Sequence, residues 1–182
     1  CYCESELQTR KYFNIHEKID LVLNLLKKDL KGIEINKEYL YGIPDILADP
    51  GMMEHALVNL IQNSIHALNR TRVPEILIRT YIRDKYICFD IRDNGCGIPP
   101  EHINSIFEPG FTLKGHKDDT GSYGTAIKGT GYGMSNARRY IEQHKGNLSV
   151  KSEMGSGTKF TISLPVIKKE LTYEEKTQIQ KT

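Results

Sequence analysis

ICFDIRDNGCGIP, residues 87–99, is the stretch around which the rest of the chain can be arranged. Apolar residues at every second position, Ile87, Phe89 and Ile91, predict a strand with one buried face. Asp93 continues that face. Burying an ionised carboxylate is costly unless it is paired or hydrogen-bonded, and the glycines that follow let backbone approach a bound molecule. The stretch therefore predicts either the floor of a pocket or a surface turn with a solvated Asp93.

Length and composition indicate a soluble globular protein of one domain. The 182 residues can bury a core, and 38% of them are hydrophobic and 26% charged. With 25 Lys and Arg against 23 Asp and Glu, the net charge of +2 gives no reason to expect nucleic acid or a membrane as a partner. The sequence contains no apolar run long enough for a membrane span and no visible signal peptide.

The four cysteines lack the spacing of a disulfide framework or a zinc site, so we expect a reduced chain in the cytoplasm. Because the sequence starts at Cys1 and not at Met, we expect a fragment of a longer protein, and any membrane anchor would lie in the missing part. Residues 1–11 are interpreted as the end of an upstream linker or helix, residues 12–166 as the domain and residues 167–182 as a charged tail.

The rest of the chain alternates between helical and strand patterns. Helices are predicted over residues 14–32, 50–69 and 100–106, and a last helix opens at residues 129–134 and stops at Gly146. Strands are predicted over residues 32–39, 46–48, 75–82, 86–93, 147–152 and 159–164. Asn14 and Asp49 are the predicted N-caps of the first two helices. Residues 115–130 contain almost nothing to bury, which is typical of a lid or a binding loop.

The helix over residues 50–69 carries polar side chains along the edge of its buried face. At the helical period, Asn59 and Asn63 lie one turn apart on a stripe that also contains His66. Asn is a poorer helix former than Lys or Glu, so two of them at this edge suggest a use for their amide oxygens. A solvated helix flank is the alternative interpretation.

A second glycine-rich segment, GTGYGM at residues 129–134, opens the last helix. The N–H groups and positive dipole end of a helix N-terminus favour phosphate. The spacing fits neither the P-loop, because no Gly-Lys-Ser/Thr follows, nor the dinucleotide fingerprint Gly-x-Gly-x-x-Gly. A third glycine motif, Gly155-Ser-Gly157-Thr158, precedes the final strand. None of these motifs is decisive by itself.

Taken in order, the motifs resemble the ATP-binding catalytic domain of a sensor histidine kinase, within the gyrase, chaperone and mismatch-repair ATPase superfamily. The resemblance covers about residues 12–166. It rests on the Asn-bearing helix, Asp93-x-Gly95-x-Gly97, the Phe107 segment, Gly129-x-Gly131-x-Gly133 and Gly155-x-Gly157-Thr158. It implies the α+β class and a two-layer α/β sandwich of the Bergerat type. In this fold a mixed, mainly antiparallel sheet is covered on one face by three helices and an ATP lid.

The resemblance also implies roles for residues on Mg-ATP. Asp93 would accept a hydrogen bond from the adenine amino group, and Thr158 would assist through water. Asn63, with Asn59 nearby, would hold Mg²⁺, and these two residues with Lys114 form the implied catalytic set. The implied ATP-binding residues are Asn59, Asn63, His66, Asp93, Gly95, Gly97, Ile98, Phe107, Thr112, Lys114, Lys128, Gly129, Thr130, Gly131, Tyr132, Gly133, Met134 and Thr158.

One position favours a kinase over an ATP-hydrolysing clamp. Superfamily members that hydrolyse ATP resemble one another in placing a Glu, the general base for water, one turn before the metal-binding Asn. Here that position is Asn59, which cannot take a proton. Phosphoryl transfer mostly needs positioning and charge compensation. We therefore expect a protein-histidine kinase domain, with an ATP-hydrolysing clamp and a nucleotide-sensing module without transfer as the alternatives.

We expect the phosphoryl acceptor to lie outside this chain. His16-Glu17 imitates the start of the family's acceptor motif, but Lys18-Ile19 follows and no proline breaks the helix after it. The resemblance implies two partners, a dimerisation and phosphoacceptor hairpin of the same protein and a downstream response regulator. Without the hairpin, low activity is expected. His144 is expected on a surface or helix flank.

Overall fold

The computed structural model describes residues 9–111 and 131–168 and forms two layers, a sheet with three helices on one face. The predicted α/β sandwich is therefore confirmed. The strands are β1 Lys11–Phe13, β2 Glu34–Glu38, β3 Ile46–Ala48, β4 Glu75–Arg83, β5 Tyr86–Asp93, β6 Asn147–Glu153 and β7 Gly157–Pro165. The helices are α1 Ile15–Leu25, α2 Pro50–Ala67 and α3 Gly133–Gln143. The helix predicted over residues 100–106 is two short 3-10 turns, Pro100–His102 and Ser105–Phe107.

The main sheet has five strands in the order β2-β4-β5-β7-β6. Strand β2 runs parallel to β4, and the other neighbours are antiparallel, so the sheet is mixed and mainly antiparallel as predicted. Asp93 pairs with Thr158, and Thr158 pairs with Ser152 on the edge strand β6. Directly opposed residues point to the same face of a sheet. The register therefore places three polar side chains in one row.

The core lies between the sheet and the helices. The alternating residues of β5, Ile87, Phe89 and Ile91, are fully buried, as the sequence pattern predicted. Full burial of an aliphatic or aromatic side chain contributes about 1.5–3 kcal/mol to the free energy of unfolding. The packing of these side chains therefore holds the helices on one face of the sheet. The fully buried residues of α2 are Met53, Ala56, Leu57, Leu60, Ile61 and Ser64. The asparagine stripe of α2 consequently lies at the edge of the packed layer.

Helices α1 and α2 begin at their predicted caps. The Asn14 side chain accepts a hydrogen bond from the backbone N–H of His16 at 2.8 Å. The Asp49 side chain accepts one from the N–H of Met52 at 2.9 Å. Each cap satisfies an N–H group that the first turn of a helix leaves without an intrahelical partner. Within the described residues, no helix is both long and apolar enough to cross a bilayer.

Helix α1 ends at Leu25, earlier than its apolar spacing predicted. Leu26 and Leu30 are nevertheless buried, because consecutive turns carry the chain back over the core. Gly32 has a φ of +84° and closes these turns. The apolar spacing thus reported burial correctly but did not distinguish helix from turns.

Strand β1 is an element that the sequence did not predict. Lys11–Phe13 pairs antiparallel with β3 in a separate two-stranded sheet. Just before it, the Arg10 guanidinium donates to the backbone oxygen of Gln143 at 2.7 Å, at the C-terminal end of α3. Lys11 therefore lies in a strand, although residues 1–11 were interpreted as linker or helix. A strand of three residues is too short to show periodicity, and the domain bounds themselves stay a prediction.

The expectation that His144 lies on a surface or flank is wrong, because only 4% of the residue is exposed. The Nδ1–H group donates to the Tyr140 carbonyl at 2.6 Å, and Nε2 accepts from the Asp49 N–H at 2.9 Å. His144 therefore ties the end of α3 to the start of α2.

The environment of His16 predicts a stability that depends on pH. Its ring stacks on Tyr39, with centroids 4.2 Å apart, and Nε2 lies 2.8 Å from Thr80 Oγ1. Burial lowers the pKa of His16, partly offset by Asp20. Since the folded state favours the neutral ring, the free energy of unfolding should fall as pH drops below about 6.5, the ordinary pKa of histidine.

Urea denaturation between about pH 7.5 and 5.5, a range that brackets the ordinary histidine pKa, checks this prediction. We expect His16→Gln to flatten the decline in the free energy of unfolding. His55→Gln, at an exposed position of α2, is the matched control and should leave the decline unchanged. An equal decline in wild type and the His16 variant would contradict the prediction.

Candidate nucleotide-binding site

Asp93 is buried and hydrogen-bonded, and it does not lie in a solvated turn. Only 2% of the residue is exposed, and its Oδ1 accepts hydrogen bonds from the N–H groups of Gly95 at 3.0 Å and Thr158 at 3.3 Å. Burial raises the pKa of Asp93, while the N–H of Gly95, the hydroxyl of Ser64 and the N–H of Thr158 oppose the rise. The chain thus stabilises a buried carboxylate whose remaining acceptor positions can serve a ligand.

The glycines after Asp93 allow a close approach between backbones. A Cβ atom on Gly95 would lie 2.6 Å from the Ala67 carbonyl oxygen at the end of α2. A Cβ atom on Gly97, whose φ is +76°, would lie 2.2 Å from the Glu153 oxygen. The Cys96 N–H donates to the Ala67 oxygen at 3.1 Å. The turn is therefore held between α2 and the β6–β7 connection, where a larger side chain has no room.

The two asparagines of α2 lie on successive turns of the helix. Both are half-buried. Ser64, the residue after Asn63, is fully buried beside Asp93. Its hydroxyl opposes the rise in the pKa of Asp93, although the contact is not a regular hydrogen bond. On the other side, a Cβ atom on Gly133 would lie 3.0 Å from Asn59 Oδ1. Helix α2 thus lies beside both the Asp93 carboxylate and the start of α3.

Helix α3 begins without the side-chain cap that α1 and α2 have. Its N-cap residue, Tyr132, makes no capping hydrogen bond. The first-turn N–H groups and the positive end of the helix dipole can therefore face an anionic ligand. Gly131, with a φ of +74°, accepts from the Gly110 N–H at 3.1 Å, so the residues on either side of segment 112–130 are neighbours.

Several partly buried apolar side chains belong to the same elements as the polar residues or to the segments next to them. Ile98, Phe107 and Met134 are partly buried and pack against the core, as does Ile65 of α2. The Arg138 guanidinium of α3 lies 5.0 Å from the centroid of the Phe107 ring. An apolar lining with a few convergent polar groups is the usual composition of a small-molecule site.

Comparison with known proteins identifies the family. The model of the histidine kinase-, DNA gyrase B- and HSP90-like ATPase family matches residues 48–168. The chain belongs to this family. Among its relatives, the sensor histidine kinase ZraS of Salmonella typhimurium is 34% identical over 161 residues, covering 87% of this chain and 32% of ZraS. The sensory histidine kinase/phosphatase NtrB of Vibrio alginolyticus is 32% identical over 166 residues, covering 85% of this chain and 44% of NtrB.

Solved structures agree with this assignment. The nucleotide-free catalytic domain of the histidine kinase ThkA superposes with a TM-score of 0.71 at 26% identity, covering 86% of this chain and 95% of that domain. ThkA has also been solved in complex with the response regulator protein TrrA. These relatives and neighbours identify the chain as the ATP-binding catalytic domain of a histidine kinase. It spans less than half the length of ZraS and NtrB.

Five predicted site residues of this ATPase domain lie outside the described part of the chain, as does the predicted lid over residues 115–130. They are Thr112, Lys114, Lys128, Gly129 and Thr130. His66 is described and lies half-buried in the last turn of α2, one turn after Asn63. The phosphate contacts of His66 and the two lysines stay predictions.

Two serines of the ATPase domain's site were missed by reasoning from the sequence. Ser64 is fully buried beside Asp93. Ser152 accepts a hydrogen bond from the Ile98 N–H at 2.8 Å. The sequence pattern could have indicated Ser152. It continues the alternation of Leu148 and Val150 on β6 with a polar residue, as Asp93 does on β5.

Proposed function

We propose that the chain transfers the γ-phosphoryl group of Mg-ATP to a histidine on a separate hairpin of the same protein. The observation that carries the proposal is the buried Asp93 carboxylate, held by the Gly95 and Thr158 N–H groups beside the asparagine-bearing helix. A carboxylate only accepts hydrogen bonds, so it suits the amino group of adenine. Membership of the ATPase family supports ATP as the nucleotide.

The phosphate end of the proposed site is built from α2 and α3. Asn63 and Asn59 offer amide oxygens, which are hard ligands suited to Mg²⁺. The metal ion supplies charge compensation on the phosphates when it is bound. The uncapped start of α3 would place backbone N–H groups against the same phosphates. Lys114, with Lys128, is proposed to neutralise the remaining charge on the β and γ phosphates.

A kinase is favoured over a hydrolysing clamp because Asn59 has no basic group to activate water. Asn59 belongs to α2, and its side-chain amide lies near the start of α3, where it can orient a ligand but cannot take a proton. In-line transfer needs a positioned donor and a separate nucleophile. We therefore assign the nucleophile to the acceptor histidine on the hairpin, with a response regulator as the next acceptor.

The proposed setting of the chain follows from its cysteines. Cys88 and Cys96, the two cysteines among the described residues, form no disulfide bond, which supports the proposal of a reducing cytoplasm. The balanced net charge of +2 supports the prediction that the domain contacts neither nucleic acid nor a membrane.

ATP labelled at the γ position separates the three candidate functions. The chain would be incubated with labelled ATP, Mg²⁺ and the acceptor hairpin of the same protein. We expect acid-labile label on the hairpin histidine, dependent on the hairpin. Free phosphate alone would indicate a hydrolysing clamp, and binding without turnover would indicate a sensing module. Either result would overturn the proposed transfer.

A further inference from the structure

We propose that Ser152 sets the purine selectivity of the site by fixing the direction of the Thr158 hydroxyl. The inference rests on the adenine site proposed above. Ser152, Thr158 and Asp93 form one row across β6, β7 and β5. Asp93 and Thr158 are 2% and 4% exposed, so water competes little with the bonds in this row.

The three contacts of Ser152 can all be hydrogen bonds at the same time in only one assignment of its hydroxyl hydrogen. Its Oγ accepts from the Ile98 N–H at 2.8 Å and lies 3.0 Å from the Gly157 carbonyl oxygen and 2.9 Å from Thr158 Oγ1. A hydroxyl has one hydrogen, and a carbonyl oxygen can only accept. In that assignment the Ser152 hydrogen goes to Gly157, and the hydrogen between the two hydroxyls comes from Thr158.

This assignment makes Thr158 an acceptor toward the ligand. With its hydrogen directed at Ser152, the Thr158 oxygen offers only lone pairs. The Asp93 carboxylate beside it also offers only lone pairs. Two adjacent acceptors match the amino group at position 6 of adenine, directly or through a water molecule. They mismatch guanine and hypoxanthine, which carry a carbonyl oxygen there, and an unpaired buried acceptor is costly.

Binding of ADP and IDP tests the proposal, because these nucleotides differ at the purine position 6 edge. Calorimetric titration of wild type should show a clear preference for ADP. In Ser152→Ala the Thr158 hydroxyl can rotate and donate, so the ADP-to-IDP affinity ratio should fall about 3- to 10-fold, the value of one hydrogen bond. Ser152→Thr keeps the hydroxyl on a strand that tolerates β-branched residues, and should retain the ratio.

A second variant separates positioning from a general loss of structure. Thr158→Val removes the hydroxyl that Ser152 is proposed to orient. Adding Ser152→Ala to Thr158→Val should leave the ADP-to-IDP ratio unchanged, whereas independent effects would add. Ser149→Ala, at an exposed position of the same strand, is the matched control and should behave as wild type. If Ser152→Ala alone does not fold, Ser152→Cys replaces it in the same comparison.

The outcomes distinguish this inference from the proposed function. A wild type that binds no adenine nucleotide would overturn both. Normal ADP binding by wild type, with an equal loss of ADP and IDP affinity in Ser152→Ala, would overturn the role of Ser152 and leave the adenine site standing. A lowered ratio that Ser152→Thr restores would support the inference.

Discussion

Asp93→Asn is expected to lower the affinity for ATP about 10- to 100-fold. A hydrogen bond to a charged group contributes roughly 1.5–3 kcal/mol, which corresponds to about one to two powers of ten in affinity. The asparagine oxygen can still accept from the Gly95 and Thr158 N–H groups, while its amide nitrogen would oppose the amino group of adenine. Calorimetric titration with ATP and Mg²⁺ measures the change.

The substitution Asp93→Asn should not lower the free energy of unfolding. Since burial raises the pKa of Asp93, ionisation of the carboxyl is less favourable in the folded chain than in the unfolded chain. The contribution of Asp93 to the free energy of unfolding is therefore lost as pH rises through its raised pKa. An asparagine side chain does not ionise and so loses no stability as pH rises. We therefore expect the variant to be at least as stable as wild type at neutral pH. Urea denaturation at acidic and neutral pH checks the sign.

Asp90→Asn provides a matched control on the same strand. Asp90 is also largely buried, but it lies on the opposite face of the sheet and accepts from the hydroxyls of Thr161 at 2.7 Å and Tyr81 at 3.3 Å. Its replacement should leave ATP affinity unchanged. Equal losses of affinity in the two variants would contradict a specific role for Asp93.

Gly97→Ala is expected to destabilise the domain far more than Gly155→Ala. Both glycines have a φ of +76°, a conformation that costs an L-residue about 1–2 kcal/mol. A Cβ atom on Gly155 meets nothing within 4 Å, whereas one on Gly97 would lie 2.2 Å from the Glu153 oxygen. Forced movement in a packed site adds about 1–3 kcal/mol, so the predicted total is roughly 2–5 kcal/mol for Gly97→Ala.

Chemical denaturation of the two alanine variants measures this difference. Gly97→Ala should also weaken nucleotide binding, because the displaced turn carries the Gly95 N–H that holds Asp93. Gly155→Ala should bind nearly as wild type. Equal destabilisation by the two substitutions would show that backbone conformation, and not the close approach to Glu153, determines why Gly97 is glycine.

Much of the fold could be predicted because local patterns and tertiary burial agree. The alternation of Ile87, Phe89 and Ile91 gave strand β5 and placed Asp93 on its buried face. Asn14 and Asp49 marked two helix starts correctly, because each side chain satisfies a nearby backbone N–H group. In these segments a few neighbouring residues determine the structure.

The features that the sequence did not predict depend on contacts between distant parts of the chain. Strand β1 exists because it pairs with β3, and three residues carry no periodic signal. His144 is buried because it accepts a hydrogen bond from Asp49, 95 residues earlier in the chain. Ser152 is held by hydrogen bonds with the Ile98 N–H and the Thr158 hydroxyl. Sequence spacing alone does not encode such partners.

Backbone amide NMR with increasing Mg-ADP tests the central claim most directly, because it locates the ligand residue by residue. We predict large shifts for the amides of Gly95 and Thr158, which donate to Asp93, and for the amide of Gly133, which begins α3. Thr161, on the opposite face of the sheet, should shift little. Shifts concentrated around Thr161, or none near Gly95 and Thr158 at saturating nucleotide, would contradict the claim that the adenine nucleotide binds beside Asp93.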